Sequence, residues 1–441
     1  MLLVALSATL GAALAAVLAC IPGLHIYNVM AFIVLAAHAQ AAAGAPFPIE
    51  VLMPLMIGMT VGWSLGGTIP SILLAAPDES ALYTVLPGQK FLMAGRGREA
   101  VMLTSAGGLV ALFILMLVFA PLAPRLVPFA ETVMRPHVHW VVWAVICFML
   151  MSEWPKGGRL SLGGWGTFLD GWKTTGSGLL TFLLSGLLGF VLVYRSPVAP
   201  EYAFQNLMPA FVGLFTLPWL LLNLVSAVEI PAQQEGEKFG AGWREVLQGG
   251  YAGTVGGGFA AFIPVVTGGI GGMLAGHATA LRDDRVFLVS QGASRLTYFV
   301  GGLLLFFIPG IGLTRGGAAW MLSGLCSPHG YYEYFMALAA VGLAGGTAFL
   351  MLGPLTRGTL WLMQRCGYRP ISAVTLGVCV ALVLYMTGFM GLIVLAVATG
   401  IGLLPVLLGS RRMNCLGVIL LPMACNMSGS GPAVAKWLGL L

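Results

Sequence analysis

Two matching stretches decide the fold of this chain: LACIPGLH at residues 18–25 and FAAFIPVV at residues 259–266. In each stretch an apolar sequence rich in small residues runs into a proline, and more glycine-rich apolar sequence follows. The prolines are 264 − 22 = 242 positions apart, and the same offset aligns Gly11 with Gly253. Because 242 is a little over half of the 441 residues, the spacing indicates a duplicated chain.

A proline leaves backbone carbonyl groups without hydrogen-bond partners, so a helix that it interrupts within a membrane has to be buried in protein or line a water-filled cavity. Interruptions at matching places in two halves point to the binding site of a transporter. The two prolines therefore predict a site where backbone groups of both halves meet. The simpler interpretation is two proline-kinked helices that pack tightly against their neighbours.

The composition is that of a membrane protein. Of the residues, 59% are hydrophobic and 8% are charged, whereas soluble domains carry about a quarter charged residues. At roughly 20 apolar residues per crossing, we expect an all-α polytopic membrane protein with roughly 10–12 membrane segments. The net charge of +6 is scattered, which excludes a nucleic-acid-binding surface. The seven cysteines lack CxxC or metal-like spacing, so we predict no disulfide framework, no metal site and no cofactor.

The most polar stretch of the chain lies near its midpoint, at residues 231–242. We interpret it as a linker between a first transmembrane repeat at residues 1–230 and a second at residues 243–441. The repeats are expected to have inverted topology and to contain broken or re-entrant helical hairpins.

A second interrupted segment lies at residues 66–86, where Pro70 and Pro77 stand seven residues apart. The apolar run between Gly67 and Pro77 is too short to cross a bilayer, which predicts a re-entrant hairpin whose turn, residues 77–80, contains Asp78 and Glu79. If the turn lies at membrane depth, these two acids are an ion-coupling site for a proton or a cation. If the turn reaches water, they are an ordinary polar turn or a helix N-cap.

The second half contains two candidate anion-binding features. The sequence TGGIGG at residues 267–272 exposes backbone N–H groups that can cradle an anion, although it can equally form a close helix crossing. Arg295 lies among apolar residues, where it binds an anion, pairs with an acid such as Asp78, or snorkels to the surface. We predict that the following residues bind the substrate: Pro22, Gly23, His25, Asn28, Ser71, Pro264, Thr267, Gly268, Gly269 and Arg295.

Four groups of short motifs, in order along most of the chain, resemble a known family. They are IPGLH at 21–25 with Asn28; IPSILL at 69–74 with LPG at 86–88 and MAGRG at 93–97; LSGLLG at 184–189 with FVGLF at 211–215; and residues 262–272 with FLV at 287–289 and RGG at 315–317. The ordered set resembles the large membrane subunit of the tripartite tricarboxylate transporters, and more closely its stand-alone, archaeal-type relatives.

The resemblance implies two inverted repeats whose hairpins meet near the middle of the membrane. It also implies secondary transport of carboxylates, coupled to Na⁺ or H⁺. Two positions depart from the family pattern, because Val265 follows Pro264 and Asp78 follows Pro77 where the family has glycine. The additional acids would suit a cation-coupled or amine-bearing substrate better than a multiply charged carboxylate. Nothing in the chain indicates a binding-protein partner.

We therefore predict a secondary active transporter that moves a small anionic solute by alternating access, in the cytoplasmic (inner) membrane of a prokaryote. Its predicted partners are the solute, the coupling Na⁺ or H⁺ and the lipid bilayer, and a homodimer is compatible with the sequence.

Two other function classes deserve comparison with this prediction. The run PVVTGG at residues 264–269 is similar to the Pro-Gly-x-Ser-Gly-Gly run of membrane proteins that return polyprenyl phosphate across the bilayer. This alternative predicts a translocase (flippase) for a lipid-linked phosphate or glycolipid carrier. A membrane enzyme would recruit His25, His38 or His277 with Asp78, but no nucleophile–base spacing is evident, so we predict no catalysis and no catalytic residues.

Overall fold

The computed structural model of the chain describes residues 1–154, 164–199, 206–226, 229–234, 240–278, 283–328 and 330–441. All regular secondary structure within these ranges is helical. The α-helices are α1 Leu2–Leu18, α2 Ile26–Ala42, α3 Ile49–Gly66, α4 Thr68–Leu73, α5 Val85–Met93, α6 Gly97–Ile114, α7 Ala120–Met134, α8 Val138–Met151, α9 Gly164–Tyr194, α10 Leu207–Phe211, α11 Leu217–Val225, α12 Trp243–Phe262, α13 Gly268–Ala278, α14 Asp284–Leu296, α15 Gly302–Phe306, α16 Gly316–Ser323, α17 Tyr331–Cys366, α18 Tyr368–Leu408, α19 Gly417–Met427 and α20 Gly431–Trp437.

Six helical stretches of the described residues are long and apolar enough to cross a membrane. They are Ile49–Leu73, Gly97–Met151, Gly171–Tyr194, Leu207–Val225, Tyr331–Cys366 and Tyr368–Leu408. A seventh is added if Arg412–Met427 and Gly431–Trp437, bent by 116° relative to each other, form one span. The prediction of an all-α polytopic membrane protein is confirmed. The continuous spans are fewer than the roughly 10–12 predicted segments because the chain also uses short helices, such as α1 and α2.

Both prolines of the matching stretches interrupt helical structure, as predicted. Helix α1 ends at Leu18 and α2 begins at Ile26, while α12 ends at Phe262 and α13 begins at Gly268. The second helix of each pair therefore starts at the same offset as the prolines, since 268 − 26 = 242. We call residues 19–25 the first break and residues 263–267 the second break.

The chain turns back at the predicted acidic turn, while re-entry of this hairpin into the membrane stays a prediction. Helix α4 ends at Leu73, residues 74–81 form an irregular turn, and the chain returns through a 3₁₀ turn at Leu82–Thr84 into α5. Ala75 at the start of the turn has a φ of +51°, a left-handed conformation that costs free energy in a residue with a Cβ. The turn places Asp78 and Glu79 between the two short helices.

Close helix crossings bring α14 into the core beside the second break. A Cβ at Gly253 of α12 would collide with the carbonyl oxygen of Ser290, and a Cβ at Gly292 would collide with that of Thr104 in α6. Small residues allow helix backbones to approach this closely in membrane proteins. Helix α14 is consequently enclosed by α6, α12 and α13.

The chain divides into two compact units, each drawn from both halves of the sequence. The first unit comprises residues 1–133 and 223–375, and the second comprises residues 134–222 and 376–441. The first unit holds both breaks, the hairpin and α14.

The second unit has its own buried acid, Glu153. Asn414 donates a side-chain hydrogen bond of 2.9 Å to this carboxylate, and the backbone N–H of Arg411 donates to both of its oxygens. Burial raises the pKa of Glu153 above its usual range, although these hydrogen bonds oppose the shift. In the same unit the guanidinium of Arg412 stacks 3.7 Å from the centre of the Trp219 ring.

Candidate functional site

Arg295 is fully buried in the first unit, with 1% of its surface exposed. Its Nη1 donates to Oδ1 of Asp78 at 2.5 Å and to Oγ of Ser80 at 2.6 Å, and its Nε donates to the carbonyl oxygen of Ser64 at 2.9 Å. Of the roles that the sequence left open, pairing with Asp78 is the one that the structure shows. Snorkelling to the surface is wrong, because α14 is enclosed by other helices.

The two acids of the hairpin turn have different partners. The carboxylate of Asp78 binds Arg295 and also accepts hydrogen bonds from the backbone N–H and the hydroxyl of Ser80. Oε1 of Glu79 lies 3.7 Å from Nε2 of His25 at the end of the first break. The exposed fractions of the two acid side chains are 13% and 7%. The turn is therefore buried in protein, and an ordinary polar turn in water is excluded.

His25 caps helix α2 with its other ring nitrogen. Nδ1 accepts a hydrogen bond of 3.2 Å from the backbone N–H of Tyr27, so the neutral imidazole carries its proton on Nε2, the atom nearest Glu79. The ring packs against Tyr27, Trp63 and Phe299, with centroid distances of 4.5, 5.3 and 6.1 Å. These aromatic contacts fix the direction in which the imidazole points.

Helix α13, which follows the second break, reaches the same turn through its first glycines. The hydroxyl of Ser294 donates to the carbonyl oxygen of Gly268 at 2.7 Å, which ties α13 to α14. A Cβ at Gly269 would lie 3.2 Å from the carbonyl oxygen of Glu79 and 3.3 Å from that of Ser80. The end of the first break and the start of α13 thus meet at the acidic turn, and the start of α13 requires small residues there.

Glycines of the TGGIGG run also make a close helix crossing. A Cβ at Gly271 would collide with the carbonyl oxygen of Gly256 in α12. The crossing interpretation therefore holds for this part of the run. The cradle of backbone N–H groups for an anion stays a prediction.

The remaining predicted binding residues have different surroundings. Pro22, Gly23 and Pro264 form the backbone of the breaks, and Gly23 has a φ of +79°. Ser71 is buried, and its hydroxyl donates to the carbonyl oxygen of Gly67 in its own helix at 2.7 Å. Because Ser71 satisfies its hydroxyl locally, it is the least suited of the predicted residues to bind a substrate.

Several buried polar side chains around the two breaks have no hydrogen-bond partner among the residues that the structure describes. These atoms are Nδ2 of Asn28, Nε1 of Trp63, Oγ1 of Thr267, both amide atoms of Gln291, and Nη2 of Arg295. Each of the five side chains belongs to a residue less than one-tenth exposed. Buried polar groups normally have a partner, so these five side chains, which we call the unpaired cluster, carry donors and acceptors that a ligand or an ordered water can occupy.

Two members of this cluster, Trp63 and Gln291, were not predicted from the sequence. Gln291 stands four residues before Arg295 on α14, so an amide one helical turn from the buried arginine was an available signal. Trp63 offered no such signal, because a tryptophan within an apolar helix is usually packing. Only its position beside the His25 ring, on the helix that supplies the Ser64 carbonyl to Arg295, places it in the site.

Comparisons with known proteins give one family and one distant relative. A family model described as "Tripartite tricarboxylate transporter TctA family" matches residues 5–417. An uncharacterized protein of Methanocaldococcus jannaschii is 24% identical over 408 residues, which cover 91% of this chain and 93% of the relative. No solved structure matches the chain.

Proposed function

The chain belongs to the tripartite tricarboxylate transporter TctA family, and from this premise we propose that it moves a small carboxylate anion across the membrane by alternating access, coupled to Na⁺ or H⁺. Membership identifies the chain as a component of a tricarboxylate transporter and implies a non-enzymatic role. The cytoplasmic membrane of a prokaryote and a homodimeric state are parts of the same proposal.

The observation that carries the proposal is the cluster of buried, unpaired polar groups beside the two breaks. Trp63 Nε1, Asn28 Nδ2 and Arg295 Nη2 are hydrogen-bond donors only, and Gln291 supplies two more N–H groups. A carboxylate is an acceptor with about four lone-pair sites, so it matches a donor-rich site. Leaving such groups unpaired costs about 1–3 kcal/mol each, and a bound anion would recover part of that free energy.

The charges around the turn indicate how the anion is held. Asp78 already neutralises Arg295, and the buried ion pair leaves only Nη2 of the guanidinium for a ligand. The proposed anion is therefore bound by neutral N–H groups and by one edge of the guanidinium. Such a site differs from one built from several free cations. It suits a carboxylate whose hydrating water molecules are replaced in stages by neutral N–H groups.

The duplication and the two predicted repeats belong to this proposal as well. The helices after the breaks start 242 residues apart, and the unit boundaries at residues 133 and 375 have the same offset, since 375 − 133 = 242. Two independent features with one offset support two related halves that each contribute one break to the site. Inverted orientation of the halves is the arrangement that alternating access uses in many transporters.

Uptake of radiolabelled citrate into proteoliposomes, together with thermal unfolding of the purified chain with and without citrate, tests the proposal. We expect uptake above that of protein-free liposomes and a Tm that rises with citrate concentration. Trp63→Phe keeps an aromatic ring but removes the indole N–H donor, so it should weaken citrate binding about tenfold or more. The matched control is Trp320→Phe, at an exposed tryptophan that has no part in the site. The absence of both uptake and stabilisation by citrate would contradict the proposal.

The lipid-carrier alternative has a separate outcome in the same preparation. A translocase would copurify a polyprenyl phosphate, and that lipid rather than citrate would raise the Tm. The phosphate of that lipid would also have to displace Asp78 from Arg295, or bind only the N–H groups at the start of α13. Stabilisation by citrate in lipid-free detergent would exclude it as the main function.

A further inference from the structure

We propose that the coupling ion is a proton and that the His25–Glu79 pair carries it, while Asp78 holds Arg295 in place. The inference rests on the proposed transport function and assigns separate roles to the two acids of the turn. The proton enters from water on one side of the membrane, resides on the carboxylate or the imidazole of the pair, and leaves to water on the other side.

The first observation is the charge balance of the buried cluster. Asp78 and Glu79 bring two negative charges, and Arg295 brings one positive charge. The ion pair between Asp78 and Arg295 is direct, so the unbalanced charge lies on Glu79. An uncompensated buried charge is costly, and a proton on Glu79 or on His25 removes the imbalance.

The second observation is the set of groups that surrounds Glu79. Its carboxylate faces a histidine nitrogen at 3.7 Å, and that histidine is held by the aromatic rings of Tyr27, Trp63 and Phe299. Hard cations such as Na⁺ need several oxygen ligands, whereas a carboxylate beside an imidazole is a pair that can hold a single proton on either member. The geometry points to H⁺ instead of Na⁺ at this position.

The third observation is the state of the imidazole. Because Nδ1 accepts from the N–H of Tyr27, the proton of neutral His25 is on Nε2, and within the described part of the chain Nε2 has no hydrogen-bond partner. At 3.7 Å the two atoms attract each other but do not form a direct hydrogen bond. A small movement of the first break relative to the turn would join or separate them, which is what a site that binds and releases a proton requires.

The pair is also placed where an anion would affect it. His25 contacts Trp63, whose N–H is one of the unpaired donors of the proposed substrate site. A carboxylate bound there brings negative charge close to Glu79 and so favours protonation of the pair. By thermodynamic linkage, protonation then favours binding of the anion by the same factor, and the two move together.

Other titratable or charged groups interact with the pair and set its proton affinity. From the elements packed around the turn these are Tyr27, Tyr298, Asp78 and Arg295. The tyrosines are neutral at physiological pH, and the charges of Asp78 and Arg295 offset each other. The charge that one proton can change therefore lies on the His25–Glu79 pair.

Transport by Glu79→Gln tests the inference, because glutamine imitates the protonated acid. In proteoliposomes we expect wild-type citrate accumulation to follow an inward pH gradient and to ignore a Na⁺ gradient. Glu79→Gln should lose accumulation driven by the pH gradient but keep the exchange of internal for external citrate, which also shows that it is folded. His25→Asn preserves the cap of α2 and should lose most of the pH dependence of citrate binding. Glu153→Gln, at the buried acid of the second unit, should behave as wild type.

Infrared pH-difference spectroscopy of the purified chain supplies a readout that does not depend on transport. We expect a carboxylic-acid band that titrates in the wild type and in Glu153→Gln and is absent in Glu79→Gln. Transport without a Glu79 band, or accumulation driven by Na⁺ alone, would refute the role of the His25–Glu79 pair in carrying a proton. The proposed transport function would still stand. A titrating Glu79 band without any citrate transport or binding would refute the proposed transport function. The assignment of a proton site at Glu79 would still stand. Accumulation by Glu79→Gln equal to that of wild type would overturn the coupling role.

Discussion

The two breaks have the same backbone order but different side chains at equivalent positions. Each runs from a helix through a proline and a left-handed residue into a new helix, and the left-handed residues, Gly23 and Val265, are 242 positions apart. After that residue the breaks diverge. The first ends at His25, which caps α2 and faces Glu79, whereas the second ends at Thr267 and the close-packing glycines.

One backbone geometry serves two purposes in the two breaks. Interrupting a helix at a proline brings backbone groups to the acidic turn from both halves, and that need is common to the two breaks. Only the first break has an imidazole, that of His25. The second break instead supplies close approach, because the carbonyl groups of the turn leave little space beside Gly269.

The largest expected effect concerns the helix crossings that hold the breaks in position. A Cβ at Gly11 would collide with the carbonyl oxygen of Leu55, and a Cβ at its counterpart Gly253 with that of Ser290. We expect Gly11→Ala and Gly253→Ala each to lower the free energy of unfolding by about 1–3 kcal/mol, measured in mixed micelles. Gly346→Ala is the control, because a Cβ there has open space. If only one of the two alanine variants lowers the free energy of unfolding, the two helix crossings are not equivalent.

The next effect concerns the left-handed residues. Val265 has a φ of +59°, which is costly for a β-branched residue by about 1–3 kcal/mol. Val265→Gly removes this cost, but the glycine loses about 0.5–1 kcal/mol through its greater freedom in the unfolded chain. The net expectation is a free energy of unfolding that is higher by about 1 kcal/mol. The reverse change, Gly23→Val, should lower it by about 1–3 kcal/mol. Unfolding curves in which both variants shift in the same direction would refute the equivalence of the breaks.

The smallest effect concerns the residues that precede the two new helices. The side chain of His25 is used as a cap, so His25→Ala should cost about 1 kcal/mol while His25→Asn costs little. The buried hydroxyl of Thr267 has no partner, so the isosteric Thr267→Val should leave stability unchanged or raise it. Citrate binding by Thr267→Val should nevertheless weaken. A loss of stability equal to that of His25→Ala would show that Thr267 is a cap rather than a ligand.

The sequence alone was enough to predict the helical membrane class, the places where helices are interrupted and the hairpin around the acidic turn. These features depend on local chemistry, because an apolar run forms a helix in lipid and a proline removes the hydrogen bonds that continue it. The family resemblance was likewise readable from ordered motifs, and the family match at residues 5–417 confirms it.

The partners of the polar side chains were decided by the tertiary structure. Arg295 and Asp78 are 217 residues apart, and their pairing depends on how α14 packs beside the hairpin. The sequence places Asp78 and Glu79 side by side, yet packing directs one to an arginine of the second half and the other to a histidine of the first. A local pattern shows which groups must find partners in a membrane, and only packing between distant helices determines which partners they find.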